Sequence, residues 1–129
     1  MSSCEILDLA KKLFHQVDHS DLPMIRNIVG RAYYSSFHKA QEVAIERYSW
    51  PESNNIKGGM HEKLYSRFNN HGLVDLNKCK TIAQIKSDLI RLKKKRVNAD
   101  YSLNVVMTKL DADYCIRTAE LINSRLENI

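Results

Sequence analysis

Hydrophobic positions recur at spacings of three and four along most of this chain, the pattern of amphipathic helices. The clearest run lies between Leu22 and Tyr48. There Ile25, Val29, Ala32, Ser36, Ala40 and Ala44 form a stripe, with Ile28, Tyr33, Phe37 and Val43 beside it. No proline follows Pro23 in this run and its only glycine is Gly30, so the pattern predicts one continuous helix, the longest of the fold. Small residues at Ala32, Ser36 and Ala40 would admit a close neighbour, while Tyr33, Tyr34 and Phe37 supply bulk on the flanks. The polar residues Arg26, Asn27, Arg31 and His38 are threaded among them, so this helix can build a site as well as a core.

The same spacing predicts a first helix from Glu5 to Val17, packed through Ile6, Leu9, Ala10, Leu13, Phe14 and Val17. Asp18-His19-Ser20-Asp21 ends it. Ser20 or Asp21 caps the central helix, and Pro23 is harmless in its first turn. Ser49 to Gly59 is turn chemistry and predicts the one long loop. A short helix follows near Met60 to Asn70, built on Met60, Leu64 and Phe68 and stopped by Gly72. Thr81-Ile82-Ala83-Gln84 reads as the capping box of a fourth helix, whose stripe runs Ile82, Ile85, Leu89, Leu92, Arg96, Ala99. Thr108 with Asp111 predicts the cap of the last helix. That helix carries Cys115, Ala119, Ile122, Leu126 and Ile129 on one line and Leu110, Tyr114 and Leu121 on another. With no alternating strand pattern and no internal repeat, the class is all-α: four to five helices in a bundle, residues 1–129 as one domain.

Composition supports this picture. The chain has 129 residues, 43% apolar and 27% charged, enough for a core without disulfides. Three cysteines, odd in number and far apart, offer neither a disulfide framework nor a zinc site. No apolar window is long enough to span a membrane. The first residues lack the basic and apolar regions of a signal peptide, so a cytoplasmic protein is expected. A net charge of +5 favours polyanions only mildly.

Arg96 stands where the fourth stripe calls for an apolar residue. An arginine there costs energy unless it is paired, and Asp100, one turn on, is the expected partner. Tyr101 is displaced by about 100° and could offer a hydroxyl. The pair either staples the bundle end or holds an anion-binding arginine. Lys93, Lys94 and Lys95 spread over about 200° of helix surface and read as a solvated basic patch. Other constellations are thin. His15 and His19 lack a third ligand, so no metal is expected, and Ser35 and Ser36 lack a nucleophile elbow. No glycine-rich loop cradles a phosphate, and no cofactor is expected. Trp50 reads as a lid over the bundle end.

Several of these segments together resemble HEPN domains (higher eukaryotes and prokaryotes nucleotide-binding). They are Arg31-Ala32-Tyr33-Tyr34 with Phe37-His38 and Ala40, the leading helix Ile6 to Gln16, His71-Gly72-Leu73, and Leu92 to Tyr101. The resemblance spans about Ile6 to Leu126. It implies an up-and-down bundle, usually a homodimer with the fourth helices near the two-fold axis. Many members are metal-independent RNases of toxin–antitoxin and phage-defence systems. In these an Arg, and a His separated from it by four to six residues, meet across the dimer and promote attack of a ribose 2′-OH on the adjacent phosphate.

Arg96 takes the position of that arginine. Val97 to Leu103 contains no histidine, and Tyr101 stands at the four-intervening spacing. A phenol with a pKa of about 10 is a poor base at neutral pH. Arg31 and His38 satisfy the spacing formally in the second helix and share a face, where His38 reads either as packing material or as a site residue. Three functions follow. The first is an RNase whose half-cleft is Arg96, Asp100 and Tyr101, with Lys93, Lys94, Lys95 and Arg31 toward the nucleic acid. The second is a non-catalytic module that binds nucleotide or nucleic acid, or docks to an antitoxin or nucleotidyltransferase. In such partnerships a tyrosine beside the motif receives nucleotidyl groups, which singles out Tyr101. The third is a helical adaptor.

Overall fold

A computed structural model describes residues 1–129 as five α-helices without a strand. They are α1 (Ser3–Gln16), α2 (Leu22–Gln41), α3 (Met60–Asn69), α4 (Leu76–Tyr101) and α5 (Lys109–Glu127). α2 is the hub, packed on α1, α4 and α5, while α3 leans on α4 from the side. A contiguous core of 28 buried apolar residues draws on all five helices, so the bundle is one unit. No helix is long and apolar enough to cross a membrane.

Each residue of the α2 stripe is buried, together with the flanking Ile28, Tyr33, Phe37 and Val43. The small side chains let α5 come close. Ser36 Oγ lies 3.0 Å from Asn123 Oδ1 and 3.4 Å from the Ala119 carbonyl. Asn123 Nδ2 donates to Ser35 Oγ at 2.9 Å, and Ser35 donates to the Ser3 carbonyl of α1 at 2.7 Å. These buried hydroxyls are thus satisfied inside the three-helix contact. In α1 the core is reached by Leu7 and Ala10, and by Val17 just past its end; Leu7 lies outside the predicted stripe. In α5 Cys115, Ala119, Ile122 and Leu126 are buried, Ile129 beyond its end is half-buried, and the line through Leu110, Tyr114 and Leu121 is exposed. Burial pushes the Cys115 thiol up to about 12, which leaves it an inert core residue.

Three local expectations are corrected. The central helix does not run as α-helix to Tyr48, because Glu42–Arg47 widens into a π-helix. The wider turn keeps both Val43 and Ala44 in the core and gathers Lys39, Glu42 and Arg47 around Glu127 of α5. Arg47–Glu127 is 3.2 Å and Lys39–Glu42 2.9 Å, with Lys39 also paired to Glu127. α4, with 26 residues, is therefore the longest α-helix, ahead of α2 with 20.

α4 also begins earlier than its apolar stripe. Asp75 is the cap, accepting from Asn77 N at 2.9 Å and Lys78 N at 3.1 Å, and Thr81 Oγ1 merely donates to the Asn77 carbonyl. The first turn of α4 projects beyond the bundle, with Leu76 exposed, so no buried periodicity could mark it. Finally, a second loop, residues 102–108, separates α4 from α5. The Thr108–Asp111 box does cap α5: Thr108 Oγ1 accepts from Asp111 N at 3.2 Å and Asp111 Oδ2 from Thr108 N at 2.8 Å.

Trp50 closes one end of the bundle as expected. It is buried, stacked on Tyr48 at 5.5 Å and edge-on to Phe68 of α3 at 5.4 Å. Arg67 of α3 donates to its carbonyl at 2.5 Å.

Gly30 is buried in α2 where α4 crosses, and a Cβ there would lie 3.8 Å from Asp100 Oδ1, an ordinary contact. Gly30→Ala is expected to add about 0.5–1 kcal/mol of stability through helix propensity, read by urea denaturation. A loss would mean that α4 needs the closer approach only glycine allows.

Candidate functional site

α4 carries Arg96 onto its seam with α2. Its stripe neighbours Leu92 and Ala99 are buried, and the Arg96 side chain is only 13% exposed. Nε lies 2.9 Å from Asp100 Oδ2, but its N–H is not aimed at the carboxylate. Nε is in fact the one buried side-chain polar atom without a hydrogen bond. The contact is an ion pair, not the bidentate fork that arginine makes at its strongest. Nη2 donates to the Tyr34 hydroxyl of α2 at 2.7 Å. The guanidinium carbon sits 5.0 Å from the Tyr34 ring centre and 5.8 Å from that of Tyr101, within cation–π range of both. Nη1 makes no hydrogen bond to the protein. Arg96 is thus oriented by a carboxylate, a hydroxyl and two aromatic rings, with one donor edge left over.

Asp100 is the partner that the i, i+4 spacing predicted. Tyr101 differs from expectation: it is 71% exposed and offers Arg96 its ring, whereas the hydroxyl beside Arg96 belongs to Tyr34. The three lysines do not form a single patch. Lys93 reaches Glu62 of α3 at 3.2 Å, and Lys95 reaches Asp111 of α5 at 3.1 Å and lies over the Tyr114 ring. Lys94 alone is exposed without an acidic partner. Residues two apart on a helix diverge by about 200°, so Lys93 and Lys95 bolt α4 to opposite neighbours.

Arg31 Nε donates to Asn27 Oδ1 at 2.7 Å and has no acidic partner. His38, two turns along the same face, is exposed beside Tyr34, with ring centres 6.5 Å apart. It does not serve as packing in the core. Arg31, Tyr34 and His38 therefore form the α2 side of an open face, and Lys93, Arg96, Asp100 and Tyr101 the α4 side.

Two residues have roles that the sequence does not announce. His61, in the first turn of α3, places Nδ1 2.5 Å from the Tyr33 hydroxyl and its ring 4.7 Å from Phe37. The Tyr33 hydroxyl is in turn 3.4 Å from that of Tyr65. Burial, with Lys93 and Arg96 nearby, holds His61 below the ordinary imidazole value of 6.5, so it is neutral at pH 7. Burial and the Tyr65 hydroxyl push the Tyr33 phenol far above its usual range. No local pattern marks His61, because its partner lies on another helix.

The second is Arg26. Its Nη1 donates to the carbonyls of Asn98 (3.0 Å), Ala99 (2.9 Å) and Ser102 (3.3 Å), and its Nη2 to those of Leu103 (3.3 Å) and Val105. A cation from α2 thereby caps the C-terminus of α4, the end where the helix dipole favours positive charge. A shallow cavity lined by Leu22, Pro23, Asn27 and Asp100 opens next to it.

No family model, no characterised protein and no solved structure matches this chain.

Proposed function

We propose that this chain is a HEPN-type protein that binds RNA and cleaves it without a metal ion, using Arg96 as the phosphate-binding group. The posture of Arg96 carries this reading. An arginine kept only to staple the helix would fork onto Asp100. Here the Nε–H is not aimed at that carboxylate, and the Nη1 edge is free. A planar guanidinium within cation–π reach of two rings, with an unspent donor edge, suits a phosphate oxygen. Arg31 and His38 flank the approach from α2, and the net charge of +5 has the sign RNA binding requires.

In the reaction a ribose 2′-oxygen attacks the adjacent phosphorus, and Arg96 stabilises the charge that gathers on the non-bridging oxygens. The resemblance supplies a homodimer that pairs two such faces across one strand. It also supplies a toxin–antitoxin or defence setting, with an antitoxin or nucleotidyltransferase as partner.

The second reading is a module that binds nucleic acid or nucleotide without cutting, favoured by the absence of histidine from Val97 to Leu103. One experiment separates the two: RNA incubated with protein in chelator, wild type against Arg96→Ala, with cleavage and gel mobility both recorded. Cleavage that the variant lacks supports the RNase. Binding without cleavage, lost in the variant, supports the module. Absence of both leaves the helical adaptor.

A further inference from the structure

We infer that His61 is the base the Arg96 face lacks on its own helix, taking the 2′-hydroxyl proton at Nε2 while the Tyr33 hydroxyl holds its other nitrogen. The inference rests on the RNase reading above and adds the group that moves the proton. Consecutive residues of α2 hold the two halves together. Tyr33 bonds His61 at 2.5 Å, and Tyr34 accepts from Arg96 at 2.7 Å, their rings 5.7 Å apart. A second tie comes from the neighbouring residues. Glu62, next to His61, pairs with Lys93, one turn before Arg96 on α4. α3 is thereby clamped at its first turn against the stretch of α4 that presents the arginine. His61 Nε2 has no protein partner, and the ring is half-buried.

The Tyr33 phenol suits a histidine that changes charge. For Nε2 to act as the base Nδ1 must carry the hydrogen, and the Tyr33 hydroxyl accepts from that Nδ1–H in the neutral and the protonated ring alike. Its own proton can turn to Tyr65 when Nδ1 donates. The charged and titratable groups around His61 are Tyr33 of α2, Glu62 and Tyr65 of α3, and Lys93 and Arg96 of α4. Burial first, then the charges of Lys93 and Arg96 against that of Glu62, leave the ring unprotonated at pH 7, as a base must be. In the step, the O2′–H bond breaks and its proton passes to Nε2. O2′ bonds phosphorus, the P–O5′ bond breaks, and the leaving O5′ takes a proton from water. His61 then returns its proton to solvent, leaving a 2′,3′-cyclic phosphate and a 5′-hydroxyl.

The test uses the full chain and an RNA oligonucleotide, with rate–pH profiles for wild type, His61→Asn, His61→Gln, Tyr33→Phe and Arg96→Ala. An oligonucleotide with 2′-deoxyribose at the cleavage site measures binding alone. The wild-type rate should rise with pH through an inflection below the ordinary imidazole value. Both His61 variants should lose a factor on the order of 10²–10⁴ in rate and lose the inflection, with binding of the deoxy oligonucleotide retained. Retained binding also certifies that they fold. Tyr33→Phe, a change to a positioning residue, should displace the inflection and lower kcat while keeping KM. Arg96-dependent cleavage that both His61 variants perform at the wild-type rate, with the inflection intact, overturns the inference and leaves the RNase reading standing. No cleavage by wild type, or cleavage indifferent to Arg96→Ala, overturns both.

Discussion

Arg96→Ala will lower RNA cleavage by a factor on the order of 10²–10³, the usual loss when one donor to a developing oxyanion is removed. The fold will survive it. The ion pair with Asp100 is not a fork, Asp100 is 35% exposed, and Tyr34 also touches water. Both partners can be rehydrated once the guanidinium is gone, so the stability loss is about 1–2 kcal/mol. For a domain of this size that is a fall of about 3–8 °C in Tm. Arg96→Lys will recover only part of the activity, since an ammonium keeps the charge but loses the planar set of N–H donors that can hold Tyr34 and a phosphate oxygen at once. Equal cleavage by wild type and Arg96→Ala in chelator would place the chemistry elsewhere. A stability loss of several kcal/mol would instead identify Arg96 as a buried structural group.

The larger effect on stability will come from Arg26→Ala. Its guanidinium serves five carbonyls at the end of α4 and in the loop that follows. Charge-assisted bonds contribute about 1.5–3 kcal/mol each in isolation. They share one cation here and several of the carbonyls can reach water, so a total of about 2–3 kcal/mol is expected. Urea denaturation measures it, and hydrogen exchange locates it: amides of residues 97–101 should exchange faster in the variant than those around Ile85. The last turn of α4 carries Asp100 and Tyr101, so fraying there will also weaken cleavage without removing any group from Arg96. An unchanged denaturation midpoint would mean that water replaces Arg26 at no cost.

The apolar skeleton was legible because burial imposes a period. The stripes from Ile25 to Ala44 and from Ile82 to Ala99 could be read residue by residue, and Arg96 stood out because it broke the second one. Where buried periodicity was absent or misleading, the reading failed. The exposed first turn of α4 has no stripe, so Thr81 drew a cap that belongs to Asp75. The π-helical turn keeps Val43 and Ala44 inward by a widening that a period of 3.6 does not contain.

The site was legible only where its parts are neighbours in sequence. Asp100 is four residues from Arg96 and was found. Tyr34, 62 residues away along the chain, reads in the sequence only as bulk, yet the hydroxyl beside Arg96 is its own and not that of Tyr101. Lys93 and Lys95 looked like one patch until Glu62 and Asp111 drew them apart. Arg26 and His61 draw their roles from partners on other helices, 28 to 79 positions away, and a local reading has no access to such pairs.

Trp50 gives the molecule an optical gauge. It is the chain's single tryptophan, and its indole is wedged between the π-helical turn and α3, the helix that carries His61. Lifting α3 away would wet the indole and shift its emission to the red, even while the other four helices keep their circular dichroism. Intrinsic fluorescence can therefore follow, without a label, whether the His61-bearing helix is seated when RNA is added.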